Sequence, residues 1–192
     1  IWDAAGPAPI EGGSSVVPEN NAAIGAINDV AAHPTNANVA YAGAVNGGVW
    51  KTTNATDSDP DWEPLTDDLP SISVGAVEFD PSDGSNQTLV MGVANVSSLG
   101  GRGGDLTGMW RTTDGGQNWT DVGTSTLDGE NITSVAARGN VLMAASDNTW
   151  GGGAGGRGLF RSTDTGQTWT RISGSVLPSG DETLIRQQAS TL

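Results

Sequence analysis

Two stretches decide the architecture: Ser162-Thr163-Asp164-Thr165-Gly166-Gln167-Thr168-Trp169 and its earlier echo Thr112-Thr113-Asp114-Gly115-Gly116-Gln117-Asn118-Trp119. Each follows a short apolar segment ending in a base, Gly158-Leu159-Phe160-Arg161 and Gly108-Met109-Trp110-Arg111. An Asp at the start of a tight turn accepts hydrogen bonds from backbone N–H groups further round it. The Gly two places on can take a positive φ that a residue with a Cβ resists. The closing Trp returns a large apolar area over the hairpin, with an indole N–H that needs a partner. Thr112, Asp114, Gly116 and Trp119, like Ser162, Asp164, Gly166 and Trp169, are therefore read as structural turn residues. None of them is a nucleophile or proton carrier.

A third, degenerate copy runs Gly48-Val49-Trp50-Lys51-Thr52-Thr53-Asn54, with Asn54 in place of Asp and Trp62 arriving three residues late. That turn must be remodelled.

Working outward from the turns, the same strand grammar recurs three times. The strands Ala26–Ala32 and Val39–Val45, the two-residue hairpin signal Asn46-Gly47, then Gly48–Thr53 and Trp62–Leu65 make the first unit. Ile72–Phe79, Thr88–Val96, Met109–Thr113 and Trp119–Val122 make the second. Ile132–Ala137, Val141–Ser146, Leu159–Thr163 and Trp169–Ile172 make the third. Four strands per unit at a spacing of about 50 to 60 residues predict an all-β propeller of four-stranded antiparallel blades. The blades are placed at about 26–66, 70–123 and 131–173, after an extended lead-in over 1–22. Leu184–Gln188 reads as the first strand of a fourth blade, begun within 183–192. Helical periodicity is absent. Three blades and a strand are too few to close a ring of the usual about four to eight blades. The chain, opening at Ile1 without Met, therefore reads as a processed product or a fragment.

Composition limits the partners. The chain has 192 residues, a net charge of −14, 29 Gly, 7 Trp and no Cys. Strong negative charge argues against nucleic acid or an anionic membrane surface as partner. Without Cys there is neither a disulfide nor a thiolate metal site. No apolar run reaches membrane-spanning length, so no membrane insertion is expected.

In a blade, the first-to-second and third-to-fourth turns share one face. The second-to-third loops and the blade-to-blade connections share the other. Two Gly-rich loops, Ser97–Thr107 and Asp147–Arg157, are second-to-third connections. They bring Arg102, Asp105, Trp150 and Arg157 to that face as candidate ligand-binding residues. A flat indole stacks on a sugar ring or partner side chain, and two guanidinium groups can grip a carboxylate bidentately. The alternating carboxylates Asp57, Asp59 and Asp61 resemble a calcium loop, but Trp62 stands where an EF-hand needs Gly. Calcium is therefore carried only as a looser option, and no other cofactor is expected. His33, the single His, and Tyr41, inside a strand, are read as packing residues.

Taken together, the chain resembles the start of large bacterial exported proteins carrying BNR/Asp-box (sialidase-like) repeats. The resemblance rests on the Asp turns and on Gly6-Pro7-Ala8-Pro9-Ile10, His33-Pro34-Thr35-Asn36, Asn46–Thr53 and Leu65-Thr66-Asp67-Asp68-Leu69-Pro70. It implies an extracellular, cell-surface or periplasmic location. The family spans sialidases, xyloglucan-degrading hydrolases, sortilin-type peptide receptors and a photosystem assembly factor. The sialidase set of a Tyr nucleophile, Glu partner, three Arg and an Arg-Ile-Pro stretch is not recognisable here. Where xyloglucan-degrading relatives place an Asp shortly before the Gly-Gly matching Gly47-Gly48, this chain has Val45 and Asn46. The expectation is a non-enzymatic binding or scaffold segment. Its partners would be the remainder of a parent propeller or another protein chain, with carbohydrate as a further ligand class. The alternatives are a fragment of a glycoside hydrolase with its catalytic residues beyond Leu192, and an assembly factor of a membrane complex.

Overall fold

The computed structural model describes residues 25–96, 103–147 and 158–173. Three four-stranded antiparallel sheets follow one another along the chain. The first comprises β1 (Ile27–Ala32), β2 (Ala40–Ala44), β3 (Gly48–Thr52) and β4 (Glu63–Pro64). The second comprises β5 (Val74–Phe79), β6 (Leu89–Val93), β7 (Met109–Thr112) and β8 (Thr120–Asp121). The third, after one helical turn α1 (Thr124–Leu127), comprises β9 (Ile132–Arg138), β10 (Val141–Ser146), β11 (Gly158–Ser162) and β12 (Thr170–Arg171). Each sheet is a simple meander in which every strand pairs with its sequence neighbour. The first strands lie together, β5 against both β1 and β9. This is the arrangement of propeller blades around an axis.

The register repeats as faithfully as the topology. Ala40, Leu89 and Leu142 face Thr52, Thr112 and Ser162 respectively. Because side chains alternate across a strand, each sheet presents one apolar set to the preceding blade and another to the following one. Leu89, Met91 and Val93 pack with Tyr41 and Val49 of the first blade, while Val90 and Met109 pack with Ile132, Val135 and Leu142 of the third. The cores thus lie between blades rather than inside any one of them. Stability of this kind is a sum of neighbour-to-neighbour contacts.

Between the first strands, side chains do the work of a backbone ladder. Asn28 Nδ2 donates to the Gly75 carbonyl, and the Val77 N–H donates to Asp29 Oδ2 at 2.9 Å. The outer strands are short, two residues each, and take their strength from the turns that precede them.

Two expectations need correction. The β2–β3 connection is a three-residue loop, not a two-residue hairpin, because Ala44 pairs with Gly48. Asn46 at φ 57° and Gly48 at φ 76° absorb the extra residue. The helical turn α1 was also unforeseen, since four residues are too few to show a period. It buries Leu127 completely between the second and third blades.

Candidate functional site

The face carrying the second-to-third loops and blade-to-blade connections is built by a chain of small polar side chains. Ser73, buried in the connection to β5, donates its hydroxyl to Asn46 Oδ1 at 2.6 Å. The same Oγ accepts the Gly104 N–H at 2.7 Å, which fixes the end of the 97–107 loop above the first blade. One blade farther along the arc, Asn131 joins two loop bases. Its Oδ1 accepts the Asn95 N–H at 2.6 Å, where the 97–107 loop begins. Its Nδ2 donates to Asp147 Oδ1 at 3.2 Å, and its carbonyl accepts the Asp147 N–H at 3.0 Å, where the next loop begins. A Cβ on Gly103 would lie 1.9 Å from Asn95 Oδ1, so only glycine lets this backbone cross the network.

Of the sequence-predicted ligand residues, Asp105 stands exposed at the root of the 97–107 loop. Arg102, Trp150 and Arg157 lie outside the described residues.

The Asp turns sit at the opposite ends of their strands and hold themselves closed. Thr112 Oγ1 donates to Asp114 Oδ1 at 2.7 Å and accepts the Gly116 N–H at 3.0 Å. Asp114 in turn accepts from the Asn118 N–H at 3.0 Å and the Asn118 amide at 2.8 Å. Ser162, Asp164, Gly166 and Thr168 repeat the pattern bond for bond. Hydrogen bonds from Asn118 hold the Asp114 carboxyl down at about 2, and those from Thr168 do the same for Asp164. The glycines seat on the preceding blade. A Cβ on Gly116 would lie 2.5 Å from Leu65 Cδ1, and one on Gly166 would lie 2.4 Å from the Val122 carbonyl oxygen. The Trp169 indole N–H donates to that same carbonyl at 2.7 Å. The Trp119 Nε1, by contrast, is buried without a partner.

In the first blade the polarity of the turn is exchanged. Asn54 Oδ1 accepts from Thr52 Oγ1 at 2.9 Å and from the Asp61 N–H at 2.9 Å, as Asp114 does from its partners. Its amide then donates to Asp57 Oδ2 at 3.0 Å and Asp61 Oδ2 at 3.5 Å. Those carboxylates, considered for calcium with Asp59, are thus engaged by Asn54. Among the described residues no group of three or more His, Asp or Glu side chains is placed to hold a metal ion.

His33 and Tyr41 are structural. His33 Nδ1 accepts the Asn36 N–H at 3.1 Å, and its ring meets Phe79 edge-on at 5.5 Å. Tyr41 is buried against the same Phe79 at 5.4 Å.

Besides Asn131, sequence reading missed Glu78. Along the first strands runs a groove of about 560 Å³ lined by Asn28, Asp29, Glu78, Thr133 and Ser134 among others. Burial, aided by the charge of Asp29, raises the Glu78 carboxyl to about 7. The available signal was a lone acid in the otherwise apolar stretch Val74–Phe79.

No protein-family model and no curated protein matches the chain. Solved structures do. An ancestral GH74 enzyme matches at 26% identity and TM-score 0.57, over 77% of this chain and 18% of that one. The GH74 enzyme of Niastella koreensis matches at 24% identity and TM-score 0.55, over 80% of this chain and 22% of that one. The GH74 xyloglucanase of Xanthomonas campestris matches at 16% identity and TM-score 0.58, covering 78% and 22%. The chain thus spans about a fifth of the length of these enzymes. Among the described residues no helix is long and apolar enough to cross a membrane. The chain carries β-propeller blades.

Proposed function

We propose that the chain is a non-enzymatic binding segment of a larger, exported propeller of the BNR/Asp-box type. The loops 97–107 and 147–157 form its ligand surface, with Arg102, Asp105, Trp150 and Arg157 as contacts. One observation supports this above the rest: Asn131 bonds the bases of both loops at once, through Asn95 and Asp147. Two long Gly-rich loops are thereby rooted side by side on one face. The Asp turns, at the other ends of the strands, are occupied by their own hydrogen bonds. Ligands of propellers gather on such loops because a rigid scaffold positions them. The ligand class is a sugar or a protein side chain that offers a flat face to Trp150 and a carboxylate to the arginines.

Binding of a sialoside, measured by calorimetry against Trp150→Ala and Arg157→Ala, tests the reading, with a xyloglucan oligosaccharide, which has no carboxylate, as the comparison that isolates Trp150. Both variants should bind at least about tenfold more weakly and melt as the parent does, because exposed loop changes cost within about 0.5 kcal/mol. An equal loss from Asp164→Ala in a protein that remains folded would place the ligand on the other face.

A second reading draws on the likeness to GH74 enzymes: the chain is part of a glycoside hydrolase whose acids lie elsewhere. Hydrolysis of xyloglucan by a longer polypeptide containing these residues would favour it. Persistence of that turnover after Asp105→Ala, Trp150→Ala and Arg157→Ala would remove the binding role as well.

A further inference from the structure

Among the described residues the three blades make the same contact twice and leave it unmade a third time. The residue three after each closing Trp is Leu65, Val122 or Ile172. In all three blades its N–H donates to the strand before the turn: Leu65 to Val49, Val122 to Met109 and Ile172 to Leu159. Leu65 then receives Gly116 of the second blade, and Val122 receives Gly166 of the third. Ile172 is 43% exposed.

The rest of that face is less open, with Leu159 and Ala145 buried and Met143 half-buried. Val90 and Met109 of the second blade are fully buried by the third. Their register equivalents, Met143 and Leu159, form with Ala145 a small apolar cluster on the far side of β10. We propose that this face, centred on Met143, Leu159 and Ile172, docks a further blade with a Ser/Thr-x-Asp-x-Gly turn, whose glycine seats on Ile172. The proposal rests on the repeat of an established interface. It rests on the larger-propeller part of the function proposed above and stands apart from the ligand surface.

Two details define the occupant and exclude a second copy of this chain. The first blade has Thr56 where Gly116 and Gly166 stand, four residues after the turn hydroxyl. Thr56 does not share the positive φ of Gly116 and Gly166, so the remodelled first turn offers Ile172 no equivalent seat. At the inner end, the following blade closes onto a glycine. A Cβ on Gly43 would lie 2.6 Å from Val74 Cγ1, and one on Gly92 would lie 2.6 Å from Ile132 Cγ2. The third blade has Ala145 at that register position, so its neighbour's first strand must carry a residue smaller than valine there. Ile27, the first blade's residue at that place, is too large.

The chain has no Cys, so Ile172→Cys supplies a single thiol whose alkylation rate reports its cover. In the 192-residue chain it should react freely at all protein concentrations. A version extended at Leu192 by a second copy of residues 124–173 supplies a docking blade. The copy carries alanine at the places of Ile132 and Val135. Alkylation there should slow at least about tenfold, and a Gly166→Ala change within the added copy should restore it. No slowing in the extended chain overturns the proposal, as does equal slowing with the altered copy. Protection in the unextended chain overturns it too. Concentration-dependent protection would name a second copy as occupant, and protection in the monomer would name the chain's own residues after 173.

Discussion

The hydroxyl of Tyr41 in the first blade donates to the carbonyl of Gly115 in the turn of the second, 3.0 Å away. Lys51 Nζ reaches the same oxygen at 3.3 Å and lies 5.4 Å from the Tyr41 ring centroid. The turn of one blade is thus held by the strands of the blade before it.

Tyr41→Phe should destabilise the chain by about 0.5–1.5 kcal/mol, since Lys51 still serves the Gly115 oxygen. Tyr41→Ala should cost roughly 3–5 kcal/mol, because it empties a fully buried site against Phe79. Urea titration of both variants checks the order. Equal effects would show that the hydroxyl rather than the ring sets the contact.

The positive-φ glycines should form a graded series on substitution by alanine. Gly129, at φ 79° with open space around its Cβ position, should cost only about 1 kcal/mol for the backbone. Gly116→Ala adds a collision with the movable end of Leu65, and should cost about 2 kcal/mol or more. Gly166→Ala meets the main-chain carbonyl of Val122, which has nowhere to go, and should cost the most. Thermal melts of the three variants establish the ranking, and Gly129→Ala as the worst would refute it.

Stability should fall on both sides of a plateau in pH. Asp114 and Asp164 titrate at about 2 in the folded chain, below their ordinary carboxyl values. Their contribution is therefore present above about pH 4 and is lost as pH falls toward 2. Glu78 is shifted upward from 4.5 to about 7, so folding favours its protonated form. That contribution is complete below about pH 4.5 and lost as pH rises through 7. Glu78→Gln should flatten the alkaline fall, worth about 1 kcal/mol after solvent screening. Asp114→Asn should flatten part of the acid fall. Melting temperatures from pH 2 to 9 test both, and an unchanged alkaline limb in the Glu78→Gln variant would refute the first.

Asn131→Ala should cost about 1–2 kcal/mol and loosen two loops together. Amide exchange should quicken at Asn95 and at Asp147, although these lie on different blades. Acceleration at only one of them would show that the loops are held independently.

The blade count and the turns were legible because Asp-x-Gly chemistry and a closing Trp are local and recur. The exchanged turn at Asn54 was legible only as a defect. Its repair needs Asp57 and Asp61 folded back onto one amide, which no spacing rule announces. The three-residue loop at Asn46 defeated a strong dipeptide signal, because the pairing of Ala44 with Gly48 is settled by the sheet. Asn131 gave no sign of its role. An asparagine beside a strand looks like a turn residue until two loop bases converge on it. Glu78 was visible as an acid in an apolar strand, yet its environment depends on Asp29, nearly fifty residues earlier. Arg102, Trp150 and Arg157 lie outside the described residues, so their roles rest on chain order.

Thr56 and Ala145 have a consequence beyond the arc itself. An arc whose first and last described blades present unlike faces is a building block for head-to-tail polymers, and rotations that fail to close give open fibres. A first blade with the glycine turn of the other two, and glycine in place of Ala145, would make the third blade a ready seat for the first blade of another copy. On the docking proposed above, the remodelled turn around Thr56 and the methyl group of Ala145 keep the first blade from fitting the third. On that proposal the same pair leaves the third blade's face to a neighbour of different sequence, which extends the arc without propagating it.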